Sequence, residues 1–225
     1  MSNKINHSIL RFIFDPPLDQ EIKVKDLRGA LGSLYPNELL LHHHRKDGKL
    51  NYAYPLVQYK IINSECLIIG IQQGAELLSN LDLAAKSISL ENQRYTILNK
   101  VIEFYHVSIK IINLLERYQF ITPWLALNEK NYEKYQKLGS LTKKRELLAK
   151  ILVGNIISMS KSLGYTVPAP IKPNILNIKE FPAKLKGTPM LGFIGTFSVN
   201  FEIPDYWGIG KSVSRGFGTV VKCSK

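Results

Sequence analysis

Leu56-Val57-Gln58-Tyr59-Lys60-Ile61-Ile62, a polar turn at Asn63-Ser64-Glu65, and then Cys66-Leu67-Ile68-Ile69-Gly70-Ile71 read as the two strands of one hairpin. β-Branched and aromatic side chains dominate both runs and suit a pleated, packed surface, and the short polar break between them is a turn signal. Upstream, Ile9-Leu10-Arg11-Phe12-Ile13-Phe14 is a strand with Leu10, Phe12 and Phe14 on one face, ended by Asp15-Pro16-Pro17. Between that strand and the hairpin, Asp26 is placed to cap a short helix that carries Leu27, Leu31 and Leu34 on one side. Gly29 and Gly32 weaken this helix, and Tyr35-Pro36-Asn37 closes it. Downstream, Gly74 to Leu83 reads as a helix with Leu77, Leu78 and Leu81 inward, and Tyr95 to Ile112 as one long strand or two. Strand, helix, strand, strand, helix, strand is the ferredoxin-like, split βαβ order. RNA-recognition (RRM-like) domains use a sheet of this kind.

Pro123 reads as a boundary, dividing the chain into residues 1–122 and 123–225. A helical region spans Asn128 to Lys161, and its second part is amphipathic. Leu147, Leu148, Ile151, Leu152 and Ile156 fall at helical spacing, with Lys143, Lys144, Arg145 and Lys150 on the polar face. Pro168, Pro170 and Pro173 break the chain, and Leu191 to Ile203 returns to strand character. The expected class is α+β: tandem ferredoxin-like domains, the second degenerate, with a glycine-rich loop at the C-terminus.

With 225 residues the chain is long enough for one large domain or two small ones, each with its own core. Lys and Arg number 30 against 18 Asp and Glu, a net charge of +12, which points to nucleic acid or an anionic surface as a partner. The two cysteines, Cys66 and Cys223, fit neither a disulfide framework nor a thiolate zinc site. Arg11 interrupts the one apolar run near the N-terminus, which argues against a signal peptide, and no apolar run approaches the roughly 20 residues that span a bilayer. The expected location is cytoplasmic, with no membrane partner.

Two stretches carry chemistry. The first is Leu41-His42-His43-His44-Arg45-Lys46-Asp47-Gly48-Lys49, followed by Tyr52 and Tyr54 on an expected strand; it holds three of the five histidines. In an extended chain His42 and His44 share a face and His43 points away. Two imidazoles beside Arg45, Lys46 and Lys49 suit acid–base chemistry on a phosphate. The same His-x-His pair is also a start for a transition-metal site, with only Asp47, His43 or the distant His7 and His106 to complete it. A solvated structural cluster of histidines is the third reading.

The second stretch is Gly208-Ile209-Gly210-Lys211-Ser212-Val213-Ser214-Arg215-Gly216-Phe217-Gly218. Glycines let a backbone approach a phosphate and aim N–H groups at it. Gly210-Lys211-Ser212 imitates the end of a Walker A loop, but Asp205 stands where its first glycine belongs and no useful helix follows. Val213 takes the place of the third glycine of a dinucleotide fingerprint. A glycine-rich hairpin at a sheet edge is the plain structural alternative.

These residues resemble the CRISPR-associated repeat-processing endoribonucleases, in the branch that accompanies type I-B and some type III systems. Leu27-Arg28-Gly29-Ala30, Leu41-His42-His43-His44 and Tyr54-Pro55-Leu56-Val57-Gln58-Tyr59-Lys60 are similar to that branch's N-terminal signature. Asn155-Ile156-Ile157, Phe193 to Asn200, Ile203-Pro204-Asp205 and the glycine-rich stretch are similar to its C-terminal elements. The branch's histidine pattern is His-Asn-His, so His42 and His44 carry the correspondence and His43 departs from it.

The resemblance implies tandem ferredoxin-like domains and cleavage of repeat RNA without a metal or other cofactor. A 2′-hydroxyl attacks its own adjacent phosphate, leaving a 2′,3′-cyclic phosphate, and the guide RNA passes to an interference complex. Such a reaction needs a base, an acid and cations for the dianionic phosphorane. His42 and His44 are the expected acid–base pair in either order, Tyr52 or Tyr54 orients the nucleophile or donates a hydrogen bond, and Lys49 stabilises charge. Arg28, Arg45, Lys46, Lys211, Ser212, Ser214 and Arg215 hold the RNA backbone together with the N–H groups around Gly208, Gly210, Gly216 and Gly218. A homodimer is left open. The rival of another class is a non-catalytic RNA-binding subunit of a CRISPR ribonucleoprotein, since fold alone does not fix function.

Overall fold

A computed structural model describes residues 4–42, 53–83, 86–91 and 93–224. The chain forms two units: Lys4–Val107 with Ser214–Gly216, and Ser108–Val213 with the chain from Phe217 onward.

The N-terminal unit runs β1 (Lys4–Asp15), α1 (Val24–Leu34), α2 (Leu39–His42), β2 (Val57–Ile62), β3 (Glu65–Ile71), α3 (Gln73–Asn80), β4 (Ser87–Leu90) and β5 (Gln93–Ser108). Its sheet has the order β2-β3-β1-β5-β4. Apart from the short edge strand β4, this is the ferredoxin-like arrangement: the first strand lies between the third and the last, and the second is at an edge. The β2–β3 hairpin is paired as its pattern predicts, Tyr59 opposite Ile68 and Ile62 opposite Glu65. Asn63 and Ser64 both take positive φ, 51° and 64°, the left-handed pair that a two-residue hairpin turn requires.

Leu10, Phe12 and Phe14 of β1 pack with Leu27 and Leu31 of α1 and Leu78 of α3 in one core. Asp26 does not cap α1 from outside. It lies inside the first turn, where its carboxylate accepts the Lys23 N–H at 3.2 Å, one of the donors that a helix start leaves open. The expected strand around Tyr52 and Tyr54 begins later, at Val57, and Tyr54 lies in the irregular chain before it.

The second unit runs β6 (Lys110–Trp124), α4 (Glu129–Lys137), α5 (Leu141–Ser162), β7 (Pro173–Leu185), β8 (Thr188–Glu202) and β9 (Val220–Lys222); of the 3-10 turn Val213–Arg215 only Val213 belongs to it. The sheet order β7-β8-β6-β9 repeats the ferredoxin-like one, with no α-helix among the described residues between β8 and β9 where a second crossover helix would stand. The face of α5 that carries Leu148, Leu152 and Ile156 is buried, while Lys143, Arg145 and Lys150 are exposed. Asn128 and Ser140 cap the two helices, accepting the N–H groups of Asn131 at 2.8 Å and Lys143 at 3.3 Å.

Two stretches of strand escape the sequence pattern. β6 continues through Pro123 to Trp124, and its alternation is scrambled by a register shift between Ile111 and Glu116, where Leu114 and Leu115 are both exposed. β7 starts at Pro173 and contains Pro182, which its position at the sheet edge tolerates. Among the described residues no helix is long and apolar enough to cross a membrane.

Candidate functional site

The hairpin strand β2 is the anchor of the site in the N-terminal unit. Alternation along it sends Val57 and Tyr59 into the core with α1, and Gln58 and Lys60 to the opposite face. Tyr59 is fully buried, and its hydroxyl donates to the backbone carbonyl of Leu41 at 3.2 Å. Leu41 is the residue before His42 in α2. Burial pushes the Tyr59 phenol well above its ordinary pKa, so it acts as a neutral donor over the working pH range.

Because β2 is an edge strand, its outer side is open to another segment. Gly216 lies there: a methyl group on it would come within 3.1 Å of the Tyr59 carbonyl oxygen and 3.1 Å of Val24 Cγ2. Its φ of +86° adds a second reason for glycine at this position. The neighbouring Arg215 lies close enough for its charge to act on Arg28, one turn along α1 from Val24. Burial lowers the Arg28 guanidinium from its ordinary value, and the charge of Arg215 lowers it further. Like charges that act on one another in a half-buried setting make a patch attractive to an anion, and guanidinium forks match phosphate oxygens.

Lys60 is fully buried on the other face of β2. Its ammonium reaches the Gln58 side-chain oxygen at 3.2 Å, and the Gln58 amide nitrogen donates to the Pro55 carbonyl at 3.2 Å. Burial pulls the amine down to about 7. His7, on β1, is also fully buried; it stacks on Tyr105 at 4.8 Å, and burial lowers it to about 4.

The glycine-rich stretch in the second unit is a closed loop, not a free hairpin. Gly208 bridges to Thr219, the Ile209 N–H donates to the Gly218 carbonyl at 2.8 Å, and the Gly218 N–H donates to the Pro123 carbonyl at 2.9 Å. A methyl group on Gly218, whose φ is +64°, would sit 2.0 Å from the Ile209 carbonyl oxygen. Gly210 packs against the Trp124 indole, which donates to the Asn155 side-chain oxygen at 3.1 Å. Gly208 and Gly218 thus shape the loop, while Lys211 is exposed and Ser212 half-buried at its surface.

Of the residues expected at the site, Arg28, Arg215, Ser214 and Gly216 belong to the N-terminal unit, Ser214 being buried. Gly208, Gly210, Lys211, Ser212 and Gly218 belong to the other unit. His42 is helical and is the last described residue of α2, so the extended geometry expected of the histidine run does not hold at its first member. His43, His44, Arg45, Lys46, Asp47, Lys49 and Tyr52 lie outside the described residues. Tyr54 is half-buried ahead of β2. The sequence marks Tyr59 by its place in the apolar alternation of the hairpin and in the N-terminal signature, and gives it no separate role.

The comparisons with known proteins agree over the whole chain. The family model of the Cas6b N-terminal domain matches residues 3–108, and that of the Cas6b C-terminal domain matches residues 110–223. A crystal structure of a Cas6b is 38% identical, covers 98% of this chain and all of its own, and superposes with a TM-score of 0.89. A second, of a CRISPR RNA processing endoribonuclease Cas6b, is 35% identical with a TM-score of 0.76, again over 98% of this chain and all of its own. An uncharacterized Methanocaldococcus jannaschii protein, MJ0978, is 43% identical over 145 residues, which is 64% of this chain and 98% of that protein.

Proposed function

The chain belongs to the Cas6b family and is an endoribonuclease, and we propose that it cleaves CRISPR repeat RNA within a long precursor without a metal, using His42 and His44 as the acid–base pair. The 2′-hydroxyl at the cut site loses its proton to one imidazole and attacks the adjacent phosphorus in line. The other imidazole protonates the departing 5′-oxygen, leaving a 2′,3′-cyclic phosphate on one product and a 5′-hydroxyl on the other. Histidine suits both roles because its pKa, about 6.5, puts acid and base forms within reach near neutral pH.

The observation that supports this reading is that Tyr59 meets both the charge of Arg28, which also feels Arg215, and the Leu41 carbonyl at the head of the histidine run. In this reading the two guanidiniums hold the phosphate whose charge rises in the transition state. Lys49 adds to that charge stabilisation, and Tyr52 and Tyr54 orient the nucleophile. Lys211 and Ser212, exposed and half-exposed on the glycine-rich loop, contact the RNA backbone further along. The released guide then passes to an interference complex in the cytoplasm.

The test is a labelled repeat RNA incubated with the protein in excess EDTA, beside His42→Ala, His44→Ala and a substrate with deoxyribose at the cut site. The expected result is one cut with a cyclic phosphate end, lost in both variants, and binding without cleavage of the deoxy substrate. Cleavage that needs added metal, or that survives both substitutions, refutes the mechanism. Tight binding with no cut under any condition would instead favour an RNA-holding subunit.

A further inference from the structure

We infer that the groove between α4 and the β7–β8 hairpin is a stacking site for unpaired nucleobases of RNA, with Tyr132 as its aromatic face and Lys211 holding the backbone. The inference rests on repeat RNA being the substrate and is independent of the histidine mechanism.

The hairpin builds the floor. Glu180 of β7 accepts the Tyr135 hydroxyl at 2.9 Å and the Lys144 ammonium at 3.4 Å, so this position of the strand faces α4 and α5. Its cross-strand partner Phe193 meets the Tyr135 ring edge-on at 5.4 Å. Side chains two residues apart share a strand face. Pro182 and Lys184, with their partners Leu191 and Pro189, therefore continue this face toward the hairpin turn. On α4, Tyr132 lies one turn before Tyr135 on the same side. Tyr135 is buried, whereas Tyr132 is 45% exposed. Helix and hairpin diverge from the packed contact at Tyr135. The space between them measures 760 Å³ and is lined by Leu127, Tyr132, Pro182, Pro189, Leu191 and Lys211, among others.

Apolar walls with an exposed tyrosine would admit either a base or an apolar peptide side chain, and charge decides between them. The unit that holds the groove has 17 of the 30 Lys and Arg but 7 of the 18 Asp and Glu. An RNA strand gains from that excess. Lys211 in the groove, and Lys184 on the strand face of Pro182, set cations beside the apolar walls. The charge of Glu180 is balanced by Lys144. Glu129 also lines the groove; a carboxylate there repels phosphate and accepts from base amino groups, so the bases face inward and the backbone runs along Lys211. A basic surface with an aromatic face holds single strands and not duplexes, because only an unpaired base is free to lie on a side chain.

The test measures binding of labelled single-stranded repeat RNA with deoxyribose at the cut site, and of the same strand annealed to its complement. Cleavage of the all-ribose strand is followed as the single-turnover rate at saturating protein. Tyr132→Ala should raise Kd for the single strand about fivefold or more, with the duplex Kd, the salt dependence and the saturated rate unchanged. Tyr132→Phe keeps the ring and should bind like the wild type. Leu141→Ala, at a 74% exposed position of α5 in the same unit, is the control and should also bind like the wild type. Unchanged single-strand affinity in Tyr132→Ala, while the wild type binds and cuts, overturns the inference; it leaves the groove to a protein segment and the RNA substrate standing. An equal loss in Leu141→Ala, an equal loss on the duplex, a loss repeated in Tyr132→Phe, or a slower saturated rate overturns it as well. No binding of repeat RNA by the wild type overturns the substrate and the inference together.

Discussion

Replacing Lys60 by methionine should change how the stability of this protein depends on pH. Lys60 is fully buried on β2, and burial holds its amine at about 7 instead of the ordinary 10.5. Each tenfold change in proton affinity corresponds to about 1.4 kcal/mol, so carrying the charged ammonium in the fold costs about 5 kcal/mol at low pH. Between about 7 and 10.5 the unfolded chain keeps the proton and the folded chain sheds it, so this group makes stability rise with pH. Below about 7 both states are protonated and the full cost is present. Methionine has a similar volume and no charge, so Lys60→Met removes the dependence. Its loss of the bond to the Gln58 oxygen adds an offset that does not vary with pH. Urea unfolding of the intact chain, wild type beside variant, measures the difference. Relative to Lys60→Met, the wild type should gain about 2–3 kcal/mol between about pH 6 and about pH 9. Parallel curves over that range would refute the reasoning, because they would mean that Lys60 is solvated or paired well enough to titrate like a free lysine.

Four further outcomes are expected. His7, lowered to about 4 by burial, is neutral in the fold, so its contribution to stability is lost as pH falls from about 6.5 to about 4; His7→Phe keeps the stack on Tyr105 and should flatten that limb by about 3 kcal/mol in acid unfolding. Gly210→Ala would bring a methyl group within 2.6 Å of the Trp124 indole nitrogen at a φ of +97°, so it should cost about 2 kcal/mol or more and shift Trp124 fluorescence in a Trp207→Phe background. Gly216→Ala meets the Tyr59 carbonyl oxygen and Val24 and should slow cleavage more than Gly164→Ala, a left-handed glycine with open space around it, does in the same assay. Arg215→Ala and Lys211→Ala should each reduce the dependence of log Kd on log salt by about 0.7 for single-stranded repeat RNA, as expected when one phosphate contact is lost.

Much of the N-terminal unit was legible because its signals are local. The β2–β3 hairpin, the apolar face Leu10-Phe12-Phe14 and the helix bearing Leu27 and Leu31 each declare themselves within a few residues, at the periods that side-chain geometry imposes. The split βαβ order followed from their sequence, and the second unit has the same strand order with its second helix missing. β7 and the end of β6 were not legible. A proline tolerated at a sheet edge and a bulge that reverses alternation both look like interruptions until the neighbouring strands are in place.

The site divides in the same way. Sequence alone determined which residue types were available for acid–base and phosphate chemistry, since these are properties of single side chains and their near neighbours: histidines 42 and 44, and the lysine and arginine within the glycine-rich stretch. Only the tertiary structure decided that the charge of Arg215 reaches Arg28 across nearly 190 positions of sequence, that the Tyr59 hydroxyl donates to the Leu41 carbonyl, and that Lys60 on the same strand is sealed from water. Proximity between residues far apart in the chain, and the dielectric around each, come from packing, and no local pattern encodes them.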